Sequence, residues 1–354
     1  MDPGALPPEQ AGPAAWHGPQ MAARSDWIGT LDPADLAELE AAMRRFLAAG
    51  DDPARIGQMT AAQFPLPRLA PRLAALRQEL LHGRGFALLR RLPVQRYSMV
   101  QAATLFMGLG VHLGAPRSQN AQGHVLGHVC DLGLSSADPN VRIYQTRERQ
   151  TFHTDSCDLV GLLCLRAAPR GGDSLLVSAL TLFNELRRTH PDLAVRLLRP
   201  MAHDRRGEVP AGAQPFFMIP VFSWHAGALT VFYQRQYFDS AQRFAQAPRL
   251  TPADVAALDA FDALANDPRL NFAMRLAPGD LQFVHNHVLL HDRTAFDDAP
   301  EPAQRRHLLR LWLAAPGARE LPPAFAARYG ALTVGDRGGI VVPGTRLTVP
   351  LAPV

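Results

Sequence analysis

The sequence predicts an α+β protein, mainly β, in which a sandwich or barrel of short strands packs against helices. Three observations carry this. Helical periodicity dominates the first hundred residues; from about 124 onward, short apolar runs alternate with turn residues; and 354 residues at 47% hydrophobic content suffice for a large core without staples. Length alone does not choose between one domain and two. The reading taken is a loose tail over 1–29 and a single domain over 30–354, with helices over about 30–110 and a strand core over about 120–315.

In order along the chain, Pro3, Pro7, Pro8, Pro13 and Pro19 among Gly and Ala predict the loose tail. Asp32-Pro33 opens a helix, with Asp as N-cap and Pro in the first turn. Leu36, Leu39, Met43, Phe46 and Leu47 give it one apolar face, and Gly50 ends it. A second helix over 69–82 aligns Leu69, Leu73, Leu76 and Leu80 before Gly83. A buried strand follows at 85–89, then a helix over 98–108. Strands are predicted at 124–130, 141–145, 159–166, 174–178, 215–223, 228–234, 270–276, 281–285 and 307–314. Gly171-Gly172-Asp173 and Pro278-Gly279-Asp280 supply turns between them. Helices interrupt the strands at 180–198 and at 252–265, where Thr251-Pro252-Ala253-Asp254 resembles a capping box. No internal repeat is present.

Composition removes several classes of function. All 36 basic residues are arginine, so Schiff-base, P-loop and lysine-base chemistry are absent. The net charge of +4 is scattered, which argues against a nucleic-acid partner. No apolar run reaches the roughly 18 residues of a membrane span, and the Met-Asp-Pro-Gly start does not look like a signal peptide. Cys130, Cys157 and Cys164 form an odd set without C-x-x-C spacing, so no disulfide framework is expected and a reducing cytoplasm is the default.

Thirteen histidines make any single one uninformative. The combination matters. Thr151-Phe152-His153-Thr154-Asp155 sets a His and an Asp two apart, on one face of an extended segment, where both can bind one ion. A second imidazole would complete a facial triad for iron(II). The run 281–293 offers three candidates, His285, His287 and His291. Beyond it, Arg305-Arg306-His307-Leu308-Leu309-Arg310-Leu311-Trp312 puts cations on an apolar strand. Burying such a charge unpaired costs several kcal/mol. Arg306 therefore needs either Asp297 or Asp298 as a partner or a dicarboxylate cosubstrate held bidentately.

Phe152-His-Thr-Asp155, Leu162-Leu-Cys-Leu165, Gly171-Gly-Asp-Ser174, Leu290-His-Asp-Arg-Thr-Ala-Phe296 and Arg306-His-Leu-Leu-Arg-Leu-Trp312 together resemble the taurine dioxygenase (TauD/TfdA) family, over roughly 83–314. The resemblance implies a double-stranded β-helix (jelly roll, cupin-like) with an N-terminal helical layer and helical insertions. It implies Fe(II) held by His153, Asp155 and His291, with 2-oxoglutarate and O2 as cosubstrates. It also implies Arg306 on the distal carboxylate of 2-oxoglutarate, Ser174 on the same group, and Arg310 near cosubstrate or substrate. His285 and His287 then become supporting or structural residues. The chemistry implied is oxidation, foremost hydroxylation, of a small molecule, with succinate and CO2 released.

Gln119, Asn120 and Tyr144 are the substrate-side candidates; Phe217, Phe222, Tyr233 and Arg235 lie in segments that could also face a pocket. Extra arginines suit an anionic or amino-acid-like substrate, and a homo-oligomer is left open. Two other readings use the same residues: a non-catalytic jelly-roll binding protein and a zinc-dependent hydrolase.

Overall fold

The structure is a computed structural model that describes residues 6–136, 141–210, 212–342 and 344–353. Its centre is two facing sheets. The larger runs Ile28–Thr30, Phe86–Arg90, Leu281–His285, Leu159–Arg166, His307–Ala314 and Ala115–Arg117, with Leu126–Val129 also paired to His307–Ala314. The smaller runs Asn271–Met274, Ser174–Ser178, Leu289–Arg293 and Gln150–His153. Neighbours are antiparallel except Ile28–Thr30 beside Phe86–Arg90. This is the jelly roll expected.

Period-2 alternation explains why both faces of the larger sheet are buried. Leu308 and Trp312 of one strand, Val160 and Cys164 of the next and Phe86 and Leu88 further on join Phe152, Leu176, Phe272 and Met274 of the smaller sheet in one cluster. The intervening residues Leu309, Leu311 and Leu313, with Leu159, Leu163, Leu281 and Phe283, turn the other way. They meet the helices Pro33–Ala48, Ala70–His82 and Met99–Gly110. The capping box expected at Thr251 is formed, and Asp32 forms one with Asp35.

Several expectations need correction. The expected tail is anchored within residues 6–29: Trp16, Met21 and Trp27 are buried, and Gly18–Ala22 is helical. Both indoles lie edge-on to Phe272 at 5.5 and 5.8 Å, and Ser178 Oγ donates to Ala14 O at 2.6 Å. Proline density hid two anchoring tryptophans. The segment 141–145 is a 3-10 turn over Ile143–Gln145 rather than a strand. The helix over 180–198 breaks at Pro191, whose missing N–H starts a second helix. The strand at 215–223 is split by Pro220 into Phe216–Ile219 and Phe222–His225. The strands Gln150–His153 and Leu289–Arg293 are not among the expected strands, although the sequence reads 151–155 as extended; Gln150, His153, His291 and Arg293 put polar side chains on their cavity side. All three cysteines are free and buried. Among the described residues no helix is long and apolar enough to cross a membrane.

Candidate metal centre

The two unpredicted strands carry the site. His291 sits mid-strand and is register-paired with His153, the last residue of its neighbour. Their ring centroids are 4.1 Å apart. Asp155 follows in the turn, and one ligand atom from each of the three lies within 4.8 Å of the others. The chain has already left the strand at Asp155. Its approach comes from that turn, which is pinned by Thr154 N donating to Tyr233 O at 2.8 Å and by Asp155 N donating to Asn286 Oδ1 at 3.0 Å.

The electrostatics suit a divalent cation. His153 Nδ1 lies 2.8 Å from Thr151 O, so its proton belongs there and Nε2 keeps a lone pair. Burial lowers the pKa of both histidines; His291 falls to about 3, with His153 as the second cause. Burial alone would raise the Asp155 carboxyl, but Arg310, the two imidazoles and Trp312 outweigh it and keep it ionised. Trp312 Nε1 donates to Asp155 Oδ2 at 2.9 Å, and Arg310 Nη1 lies 3.5 Å from Oδ1. Two neutral imidazoles and one carboxylate could thus hold iron(II).

Behind the histidines, an inner cavity between the sheets ends on Ser174, Arg293 and Arg306. Arg306 is 5% exposed. Asp298, one of its suggested partners, instead accepts from the Arg306 backbone N–H at 2.6 Å. Among the described residues no carboxylate lies within ion-pair distance of the guanidinium, and Nη1 is buried without a hydrogen-bond partner. Burial pulls the pKa of Arg306 down to about 10 and of Arg293 to about 9. Both guanidiniums lie against Phe296, at 5.0 and 4.8 Å from its centroid. Ser174 Oγ donates to Gln282 Oε1 at 2.9 Å. Arg293 stands within the motif Leu290–Phe296, but no local pattern marked its position as buried.

The remaining candidates divide. Gln119 is buried and clamps Arg310: its Oε1 accepts from Arg310 Nε at 2.8 Å and its Nε2 donates to Arg310 O at 2.9 Å. Asn120 shapes the turn to His124 and lines an outer cavity with Gln119. Tyr144 lines both cavities, with the Arg310 guanidinium 4.7 Å from its ring. Phe217, Phe222 and Tyr233 are core residues, and Arg235 pairs with Asp239, Asp259 and Asp262. His287 bonds Asp158 at 2.9 Å in a buried network with Arg337. His285 lies nearby, its ring centroid 5.5 Å from that of His287. No local pattern marked Arg142, Arg206, Glu208 and Arg328, which line the outer cavity.

Two imidazoles and one carboxylate leave half an octahedron open, enough for a bidentate cosubstrate and O2 together. That is the requirement of a non-haem iron oxygenase. Residues 51–312 match the family described as taurine catabolism dioxygenase TauD, TfdA family, and the chain belongs to it, an oxygenase dependent on iron(II), 2-oxoglutarate and O2. It is 31% identical over 326 residues to FR-33289 synthase of Streptomyces rubellomurinus, covering 90% of this chain and 94% of that one. It is 36% identical over 184 residues to a uridine-5'-phosphate dioxygenase of an Amycolatopsis species, covering 49% and 65%. Among solved structures, an asparagine oxygenase aligns with TM-score 0.62 at 20% identity, over 81% of this chain and 93% of that one. The oxygenase OrfP aligns with TM-score 0.61 at 16% identity, over 81% and 93%.

Proposed function

We propose that this oxygenase hydroxylates an unactivated C–H bond of a small anionic or amino-acid-like molecule, releasing succinate and CO2. In this reading His153, Asp155 and His291 hold the iron, Arg306 receives the distal carboxylate of 2-oxoglutarate, and substrate occupies the outer cavity beside Asp155. Bound there, iron(II) with 2-oxoglutarate and O2 supplies an oxidant able to attack such a bond.

The protein's part is position and charge. Thr151 O fixes the tautomer of His153, and Trp312 and Asn286 aim Asp155. Arg310, held by Gln119, and Tyr144 stand between the two cavities and separate cosubstrate from substrate. Ser174, committed to Gln282, can turn its hydroxyl toward the cosubstrate carboxylate at the cost of that bond. Substrates of the relatives support the class: one is named for a nucleoside monophosphate, another for asparagine.

The buried, carboxylate-free guanidinium of Arg306 carries the reading. Arg306→Lys keeps the charge and loses the planar fork. At about 1.5–3 kcal/mol per charge-assisted bond, 2-oxoglutarate affinity is expected to fall about tenfold to a hundredfold. Anaerobic titration of 2-oxoglutarate into iron-loaded protein, followed by its charge-transfer absorption, measures this. Unchanged affinity in Arg306→Lys, with a loss in Arg310→Lys, would move the assignment to Arg310. His153→Ala, Asp155→Ala and His291→Ala are each expected to lose iron and succinate formation while staying folded.

A further inference from the structure

The outer cavity holds more positive charge than the metal centre explains. Arg142, Arg206 and Arg328 line it together with Glu208. Glu208 Oε2 lies 3.1 Å from Arg142 Nη2 and 3.9 Å from Arg328 Nη2, so one carboxylate serves two guanidiniums. Among the described residues no carboxylate lies within ion-pair distance of the Arg206 guanidinium, and its Nε is buried without a hydrogen-bond partner. Three guanidiniums against one carboxylate leave two positive charges. Asp155 does not cancel them, since it faces Arg310, Trp312 and the two histidines.

This cluster is built rather than accidental. The Arg328 side chain is 6% exposed, and its Nε donates to Ser156 Oγ at 2.9 Å, one residue beyond Asp155. Arg142 donates to the Tyr237 hydroxyl, and the Tyr237 ring is flanked by Arg142 at 5.9 Å and Arg206 at 5.7 Å. Arg206 itself has φ +52°, in the left-handed region that a long side chain avoids. Asp204 Oδ1 holds it there by accepting from its backbone N–H at 2.7 Å. Backbone strain of this kind gathers at ligand sites. Burial and the neighbouring guanidiniums also depress the basicity of Arg206 and Arg328, as expected of cations awaiting an anion.

We propose that Arg142, Arg206 and Arg328 form a dianion site that holds the phosphoryl head group of the substrate, a phosphonate or phosphate monoester, against the wall next to Ser156. This rests on reading the outer cavity as the substrate site. A carboxylate or sulfonate brings one negative charge and leaves a buried cation unpaired; a doubly ionised tetrahedral phosphoryl group cancels both charges. Three planar donors lining one cavity also suit tetrahedral oxygens. Arg310, occupied by Gln119 and Asp155, is not part of this grip.

The test uses iron(II)- and 2-oxoglutarate-loaded protein without oxygen, above the second ionisation of methylphosphonate. Calorimetric titration is expected to give methylphosphonate at least tenfold tighter binding than methanesulfonate or acetate. Arg206→Gln and Arg328→Gln are each expected to weaken methylphosphonate by about tenfold to a hundredfold, with the 2-oxoglutarate absorption and the melting temperature as controls for cosubstrate binding and folding. Arg206, on a half-buried loop, keeps the test informative if Arg328→Gln unfolds. Comparison with methyl phosphate names the source, ester or carbon–phosphorus bond, and either order supports the site. Equal binding of methanesulfonate, no binding of any anion, or indifference to Arg206→Gln overturns it. If anions bind as expected but 2-oxoglutarate gives no absorption, the oxygenase assignment fails and the anion site stands.

Discussion

Asp155 is held from three directions, by Asn286 on its backbone and by Trp312 and Arg310 on its two oxygens. Each contact fixes where a carboxylate oxygen points, and a metal ligand displaced by a fraction of an ångström binds less well. Trp312→Phe keeps the ring and removes only the N–H. Iron(II) affinity is expected to fall about tenfold or more, on about 1.5–3 kcal/mol for a charged hydrogen bond. Equilibrium dialysis of iron against wild type and variant measures it. An unchanged affinity would mean that Arg310 alone positions the carboxylate. At this scale the His-x-Asp pair was legible, because the two residues lie two positions apart. Trp312 and Arg310 were named in a motif and Asn286 lies within the run 281–293, yet their partner, Asp155, is more than a hundred residues away in the chain. No local pattern carries such a pairing.

The turn at Gly171-Gly172 shows how an element governs the site. Both glycines have positive φ, +66° and +71°. A Cβ on Gly171 would meet Ala295 O at 2.1 Å, and one on Gly172 would meet Arg306 Nε at 2.8 Å. Gly172→Ala is therefore expected to push the Arg306 guanidinium aside and weaken 2-oxoglutarate binding, with iron stoichiometry unchanged. Gly171→Ala meets backbone instead and is expected to lose about 1–3 kcal/mol of stability. If Gly172→Ala binds the cosubstrate normally, Arg306 has room to adjust and the turn does not position it. A contrasting change is Thr251→Ala in the capping box of Pro252–Ala265, expected to cost about 1 kcal/mol in a urea melt and nothing at the metal. Elements with apolar faces and caps were legible. The strands Gln150–His153 and Leu289–Arg293 were not, since their cavity-facing positions hold His and Arg in place of Val or Leu.

Across the whole molecule, buried neutral histidines make stability depend on acid. His203 lies among Phe217, Phe232 and Phe238, with ring centroids at 5.0, 5.2 and 4.1 Å, and burial lowers its pKa to about 3. His307, buried and 2.7 Å from His128, is likewise lowered to about 3. In the unfolded chain both titrate near 6.5. Their contribution is therefore complete above about pH 6.5 and lost as pH falls toward 3, because only the unfolded state takes up the proton. The slope is roughly 1.4 kcal/mol per pH unit for each. Urea midpoints of metal-free protein are expected to fall between pH 7 and 5, and His203→Phe is expected to flatten that fall by about half of the two histidines' share. A slope unaltered in His203→Phe would assign the acid loss elsewhere.

By itself the sequence determined what depends on neighbours a few residues apart. The caps, the apolar helix faces, the fully buried strands and the His153–Asp155 pair follow from local periodicity, and the resemblance of joint motifs led to the family. Tertiary structure decided what depends on the return of distant chain. It set the cross-strand pairing of His291 with His153 and the isolation of the Arg306 guanidinium from Asp298. It also docked Trp16 and Trp27 against Phe272 and gathered Arg142, Arg206 and Arg328 in one cavity. Charge placement across a cavity has no sequence period; it exists only once facing sheets and their loops have brought the cations together.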